Sequence, residues 1–256
     1  MRLSDVRAVI TGGVSGLGLA VATHVLSHGG KAALFDVNDE KGQAAVAALG
    51  ADNARFLRTD VTDEANVAAN VAVAREWMDG LNVCVNCAGI LGSGRVLGKH
   101  GPMALAQFQS TVLVNLVGSF NVAKACADAM QHNASGADGE RGVIVNTASI
   151  AAYEGQIGQA AYAASKAGIV GMTLPMAREL ARFGIRVNTI APGIFLTPMA
   201  EGMPDDVQAA LAASIPFPSR LGEPAQFAEL VGHVLQNSYL NGATIRLDGA
   251  TRLAAK

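Results

Sequence analysis

The sequence predicts a doubly wound α/β fold, one sheet of seven parallel strands with helices on both faces, and three observations carry that prediction. Short β-branched or apolar runs alternate with longer segments of helical period from end to end. Runs such as Val143-Ile144-Val145 are apolar at every position, the mark of a strand buried on both faces. The 256 residues approach the upper limit for one core, and no linker, low-complexity tract or fixed-period repeat divides them. A single domain over 1–256 is expected.

In order, the strands fall at 6–11, 31–36, 54–58, 81–86, 142–148, 185–191 and 243–247, bounded by turn residues. Helical period occupies 16–28, 38–49, 63–79, 104–131, 159–182 and 223–236. Asn38 and Thr62 stand where N-caps are needed, and Gly184 where a helix must stop. Pro175 lies inside the 159–182 pattern, so that helix should bend or break there. Stretches 91–103 and 131–141, rich in glycine and polar residues, read as excursions from the core.

Composition narrows the function. Charged residues are 16% of the chain, against about 25% in an ordinary globular domain. So little charge implies that copies of the chain cover part of its outer surface. Nineteen basic and 21 acidic residues leave a net charge of −2 with no block of like charges, which argues against nucleic acid or anionic membrane as partners. Residues 101–123 lack charge, but Gln107, Gln109, Ser110, Thr111, Asn115, Ser119 and Asn121 stud them, so no membrane insertion is expected. A strand-like run from Val6 leaves no room for a signal peptide. Cys84, Cys87 and Cys126 are too few and too clustered for a disulfide framework. A reducing, cytoplasmic setting is expected, or the mitochondrial matrix in a eukaryote.

The first strand runs into Thr11-Gly12-Gly13-Val14-Ser15-Gly16-Leu17-Gly18 and then an apolar helix. Glycines there let the backbone turn tightly and approach a pyrophosphate, whose charge meets the free N–H groups of the helix start. The fold is therefore Rossmann-type, although the G-x3-G-x-G spacing departs from the commonest fingerprint. Asp36 ends the second strand, eighteen residues after Gly18, where an acid would accept hydrogen bonds from the adenosine ribose. A 2′-phosphate would meet that carboxylate with no basic group at Ser15 or Val37 to offset it, so NAD is expected over NADP. The alternative is that Asp36 merely terminates a strand.

Tyr162 and Lys166 are four residues apart in helical period, hence on one face. A nearby ammonium favours the phenolate and would bring Tyr162 down toward working pH as a general acid or base. Ser149 closes a buried strand at the carboxyl edge of the sheet, where open α/β sheets place ligands. Asn115 lies in the charge-free helix and Asn86 ends the fourth strand before Ala88-Gly89; each also has a purely structural reading.

Taken together, Thr11 to Gly18, Asp60, Asn86-Cys87-Ala88-Gly89, Asn115, Ser149, Tyr162-Ala163-Ala164-Ser165-Lys166 and Pro192-Gly193 resemble the short-chain dehydrogenase/reductase family over essentially the whole chain. The resemblance implies a catalytic tetrad at Asn115, Ser149, Tyr162 and Lys166, with Asn115 anchoring a water chain. It implies a cofactor site from Gly12, Ser15, Gly16, Leu17, Gly18, Asp36, Asp60, Val61, Asn86, Cys87, Ala88, Gly89, Tyr162, Lys166, Pro192, Gly193, Phe195 and Thr197. Residues 83–89, 142–149, 168–175, 216–222 and 240–242 further resemble the type 2 3-hydroxyacyl-CoA dehydrogenase branch. That implies an NAD-dependent exchange of a secondary alcohol and a ketone on an acyl-CoA thioester by a homotetramer, with 91–103 as an insertion whose Arg95 and Lys99 would meet CoA phosphates.

Rival readings remain. A 3-oxoacyl-acyl-carrier-protein reductase or a hydroxysteroid dehydrogenase presents the same reacting group, and an NAD-sensing scaffold would use the fold without the chemistry. Cys84 and Cys87 have redox-motif spacing, but on a strand positions i and i+3 face opposite sides. His24 and His28 share a helical face with no further ligand at metal spacing, so no metal site is expected. No Gly-x-Ser-x-Gly elbow offers a hydrolase nucleophile.

Overall fold

A computed structural model describes residues 1–99, 101–198 and 204–255. Seven strands, β1 (Arg7–Thr11), β2 (Lys31–Asp36), β3 (Ala54–Arg58), β4 (Val83–Asn86), β5 (Gly142–Thr147), β6 (Ile185–Pro192) and β7 (Thr244–Leu247), form one sheet. All neighbours pair parallel in the order β3-β2-β1-β4-β5-β6-β7. The chain reverses its direction of winding between β1 and β4, and the crevice at the carboxyl ends there is where such sheets bind ligands.

The helices are α1 (Gly16–Ser27), α2 (Asp39–Leu49), α3 (Glu64–Met78), α4 (Leu105–Val112), α5 (Gly118–Met130), α6 (Ala160–Leu180), α7 (Asp205–Ala213) and α8 (Pro224–Gln236). On one face of the sheet Ile10, Leu34, Val85 and Val145 pack with Val21 and Val25 of α1 and Phe227 and Val231 of α8. On the other, Val9, Phe35, Cys84 and Ile144 meet Val71 and Met78 of α3 and Val122 and Met130 of α5. Consecutive strand residues thus enter different cores, which is why the runs are apolar throughout. Each such side chain contributes about 1.5–3 kcal/mol on burial.

Five expectations change. The helical pattern at 104–131 is two α-helices separated by a π-helical turn, Leu113–Val117. Thr62 does not cap α3: Asp63 accepts from the Asn66 N–H at 3.0 Å, while Thr62 donates its hydroxyl to Asp60. The carboxylate one residue later reaches the third amide of the helix. Asn38 does cap α2, accepting from Lys41 N–H at 2.9 Å, and Gly184 ends its helix at φ +71°. Pro175 does not break α6, which runs unbroken from Ala160 to Leu180. The sequence reading missed α7, and within the 91–103 excursion it missed a short antiparallel ribbon of Leu97–Gly98 with Gly101–Pro102. No helix among the described residues is long and apolar enough to cross a membrane.

Candidate active site

β1 delivers the chain into the glycine turn, and two glycines there are dictated by contact. A Cβ on Gly18 would stand 2.3 Å from the Gly12 carbonyl oxygen. Gly12 has φ +61°, and a Cβ there would lie 3.0 Å from Ala88 N. The turn from β1 therefore lies against the turn from β4. Thr11, to which sequence reasoning gave no role, ties the two: its hydroxyl accepts from the N–H groups of Cys87 (3.1 Å) and Ala88 (3.0 Å).

Ser15 begins α1 in extended conformation without a side-chain cap. The first-turn amides of α1 thus have no acceptor within the helix or from its cap, an arrangement suited to a pyrophosphate. Thr197 closes on this turn, its methyl 3.5 Å from where a Gly16 Cβ would be. Leu17 follows and packs partly buried against the core.

At the far end of this cleft, Asp36 ends β2 and accepts from Asn38 N–H at 3.1 Å. Arg58 is its register neighbour on β3, a cation the sequence reading overlooked, but Arg58 is ion-paired to Asp39 at 3.2 Å. Asp60 accepts from the Thr62 N–H (2.9 Å) and hydroxyl (2.7 Å), which together hold its carboxyl below the usual range. Val61 is buried, and its carbonyl accepts from Asn121.

The Asn86 amide donates to the Ser119 carbonyl (3.0 Å) and to Asn146 Oδ1 (2.9 Å), locking β4 to β5 and α5. The Cys87 thiol accepts from the Thr147 hydroxyl at 3.5 Å, and burial pushes it up to about 11. Cys84 and Cys87 pack into opposite cores and all three cysteines are free. Among the described residues no three His, Cys, Asp or Glu side chains are placed to hold a metal.

The β5 end and α6 bring the proton-transfer groups together. Ser149 Oγ accepts from Ala151 N–H at 3.1 Å, which leaves its proton to donate. Lys166, on the Tyr162 face of α6, is buried and donates to the Thr147 carbonyl at 2.8 Å, 5.7 Å from the Tyr162 ring centre. Burial lowers Lys166 to about 8. Burial also raises Tyr162, with a hydrogen bond from Ser149 pulling the other way. This corrects one expectation: Ser149, rather than the Lys166 ammonium, opposes the upward shift, because Lys166 is itself desolvated and directed at Thr147.

Asn115 sits at the centre of the π-helical turn, an irregularity that often marks functional sites. It is fully buried, accepts from Ile90 N–H (2.8 Å) and donates to the Ile90 carbonyl (2.9 Å) and Ser165 Oγ (3.0 Å). Ser165 in turn donates to the Tyr162 carbonyl at 2.7 Å. Asn115 therefore braces the β4 turn against the helix that carries the tyrosine, and Ser165, three residues after Tyr162, is a supporting residue that sequence reasoning left without a role. Gly89 passes close to both, its Cβ position 3.2 Å from Asn115 Oδ1 and 3.6 Å from Lys166 Nζ.

Pro192 and Gly193 end β6, and Gly193 N–H donates to Leu247 at 2.9 Å. The Phe195 ring packs into the core, edge-on to Phe227 at 6.5 Å. Arg95 and Lys99 are exposed on the excursion.

Comparisons with known proteins agree with this geometry. The short chain dehydrogenase family model matches residues 7–208. The 3-hydroxyacyl-CoA dehydrogenase type-2 of Bos taurus is 51% identical over 96% of this chain and 95% of its own length; that of Homo sapiens is 50% identical over the same shares. The crystal structure of 3-hydroxyacyl-CoA dehydrogenase type-2 from Mycobacterium avium superposes with a TM-score of 0.92 at 42% identity, covering 97% of this chain and 96% of that one. With the sheet order, the glycine turn and the Ser149, Tyr162 and Lys166 cluster in place, the chain belongs to the short-chain dehydrogenase family.

Proposed function

We propose that the protein is an NAD-dependent oxidoreductase interconverting a 3-hydroxyacyl-CoA and a 3-oxoacyl-CoA, including 2-methyl-branched thioesters. The observation that carries this is the grouping of Ser149, which keeps its hydroxyl proton free to donate, with Tyr162 and buried Lys166, whose ammonium lies 5.7 Å from the tyrosine ring centre, beside the glycine turn. The names of the similar proteins point to acyl-CoA.

When bound, the nicotinamide supplies or accepts the hydride. The residues of the chain do the rest. Ser149 donates a hydrogen bond to the substrate oxygen and steadies its changing charge. Tyr162 gives a proton to that oxygen in reduction and takes it back in oxidation. Lys166 would hold the nicotinamide ribose. Gly12, Gly16 and Gly18 admit the pyrophosphate, Asp36 binds the adenosine ribose, and Asp60 and Val61 flank the adenine end. NAD is favoured over NADP because Asp36 repels a 2′-phosphate, while Arg58, its neighbour on β3, is directed to Asp39.

Arg95 and Lys99 would meet the CoA phosphates. The low charge content and an edge strand, β7, half-exposed along its length support a homotetramer. Specificity constants for acetoacetyl-CoA, an acyl-carrier-protein thioester and a hydroxysteroid, each with both cofactors, test the reading. Preference for the CoA thioester with NADH is expected, and preference for either alternative would reassign the substrate.

A further inference from the structure

Residues 150–159 join Ser149 to α6, which carries Tyr162, and so set the spacing of the two hydroxyls. They are held from outside the catalytic cluster. Arg246, on β7, grips Glu154 with both terminal nitrogens, at 2.8 and 2.9 Å. Its Nε donates to Asp248 Oδ2 at 2.7 Å, and Nη2 also donates to the Thr251 carbonyl at 3.1 Å. The guanidinium lies 5.1 Å from the centre of the Tyr153 ring. The chain after β7 continues the contact: Ile157 N–H donates to the Ala255 carbonyl at 3.0 Å, and Gln156 Nε2 to Ala254 at 3.2 Å. Arg246 and Glu154 are about three-quarters buried, at 23% and 26% exposed. A planar, two-pronged pair in that setting is worth more than a loose surface ion pair, and its geometry is specific to arginine. The segment it holds supports the excursion as well, since Gly94 N–H donates to the Gly158 carbonyl at 2.8 Å.

We propose that Arg246 is a positioning residue, whose grip on Glu154 fixes the segment between Ser149 and Tyr162 and with it the acyl side of the cleft. The inference rests on the dehydrogenase reading for its kinetic consequence only.

The test compares wild type, Glu154→Gln, Arg246→Lys and the double variant. Glu154→Gln keeps size and loses charge; Arg246→Lys keeps charge and loses the fork. Each single variant should lower kcat/KM for acetoacetyl-CoA about tenfold, mainly through KM, while the Kd for NADH stays within about twofold. The double variant should lose less than the product of the two single losses, since both variants remove the Arg246–Glu154 interaction. Hydrogen exchange should be faster at the Ile157 amide in every variant. Unchanged kinetics, an equal loss of NADH binding, or losses that multiply in the double variant would overturn the proposal. A wild-type enzyme inactive on every 3-oxoacyl thioester would instead refute the assigned reaction, and unaltered exchange at Ile157 would still refute the clamp. Should one single variant fail to fold, the other carries the same comparison.

Discussion

Burying Lys166 costs the fold something that pH can return. Its half-titration lies at about 8 in the folded chain against an ordinary 10.5, so between these values the unfolded chain binds the extra proton and stability rises with pH. A shift of that size amounts to about 3 kcal/mol, part of which is recovered between pH 7 and 9. Cys87 acts in the opposite sense. Its thiol is raised from an ordinary 9.0 to about 11, so the unfolded chain loses its proton first and stability falls through that window. Contact with Cys84 and burial raise the Cys126 thiol in the same way, so together the three groups predict a small net gain from pH 7 toward pH 9 that is cancelled above it as the thiols ionise first in the unfolded chain. Urea unfolding across that range is the assay. Lys166→Met should abolish the gain, and Cys87→Ala should extend it to higher pH. A wild-type stability that falls steadily from pH 7, or a Lys166→Met variant with the same rise, would refute the reasoning.

Other perturbations follow from single contacts. Asn115→Ala removes three buried hydrogen bonds, so it should lower stability by about 3 kcal/mol and Tm by roughly 6–12 °C, read by calorimetry. Asp36→Ala should narrow an at least tenfold preference for NAD over NADP, about 1.4 kcal/mol, measured as the ratio of specificity constants. Light scattering should give a particle of about four times the 26.1 kDa chain; a 26.1 kDa species at working concentration would contradict the assembly.

What was legible in the sequence followed from periodicity. Strands such as 143–145 are apolar at each step because consecutive residues enter opposite cores, so they could be placed within two residues. The glycine turn was legible because its reason is steric and local: Gly18 must clear the Gly12 carbonyl. The π-helical turn at Asn115 was not, since its residues keep an ordinary helical pattern and the cause is a contact with Ile90, twenty-five residues away. The cap of α3 was misplaced because Thr62 and Asp63 are both capping residues, and only the geometry shows which one reaches the Asn66 amide. The pairing of Tyr162 with Lys166 was legible from spacing, but the direction of the Tyr162 shift was set by burial, which spacing does not report. Arg246 and Glu154 are ninety-two residues apart, and no local pattern links them.

Tyr162→Phe tests the central claim most directly, with NADH consumption on acetoacetyl-CoA and NADH binding measured on the same preparation. Removing the one hydroxyl should cut turnover by about 10²–10⁴-fold while the Kd for NADH stays nearly unchanged. Turnover within a few-fold of wild type would contradict the account and move the proton transfer to another residue.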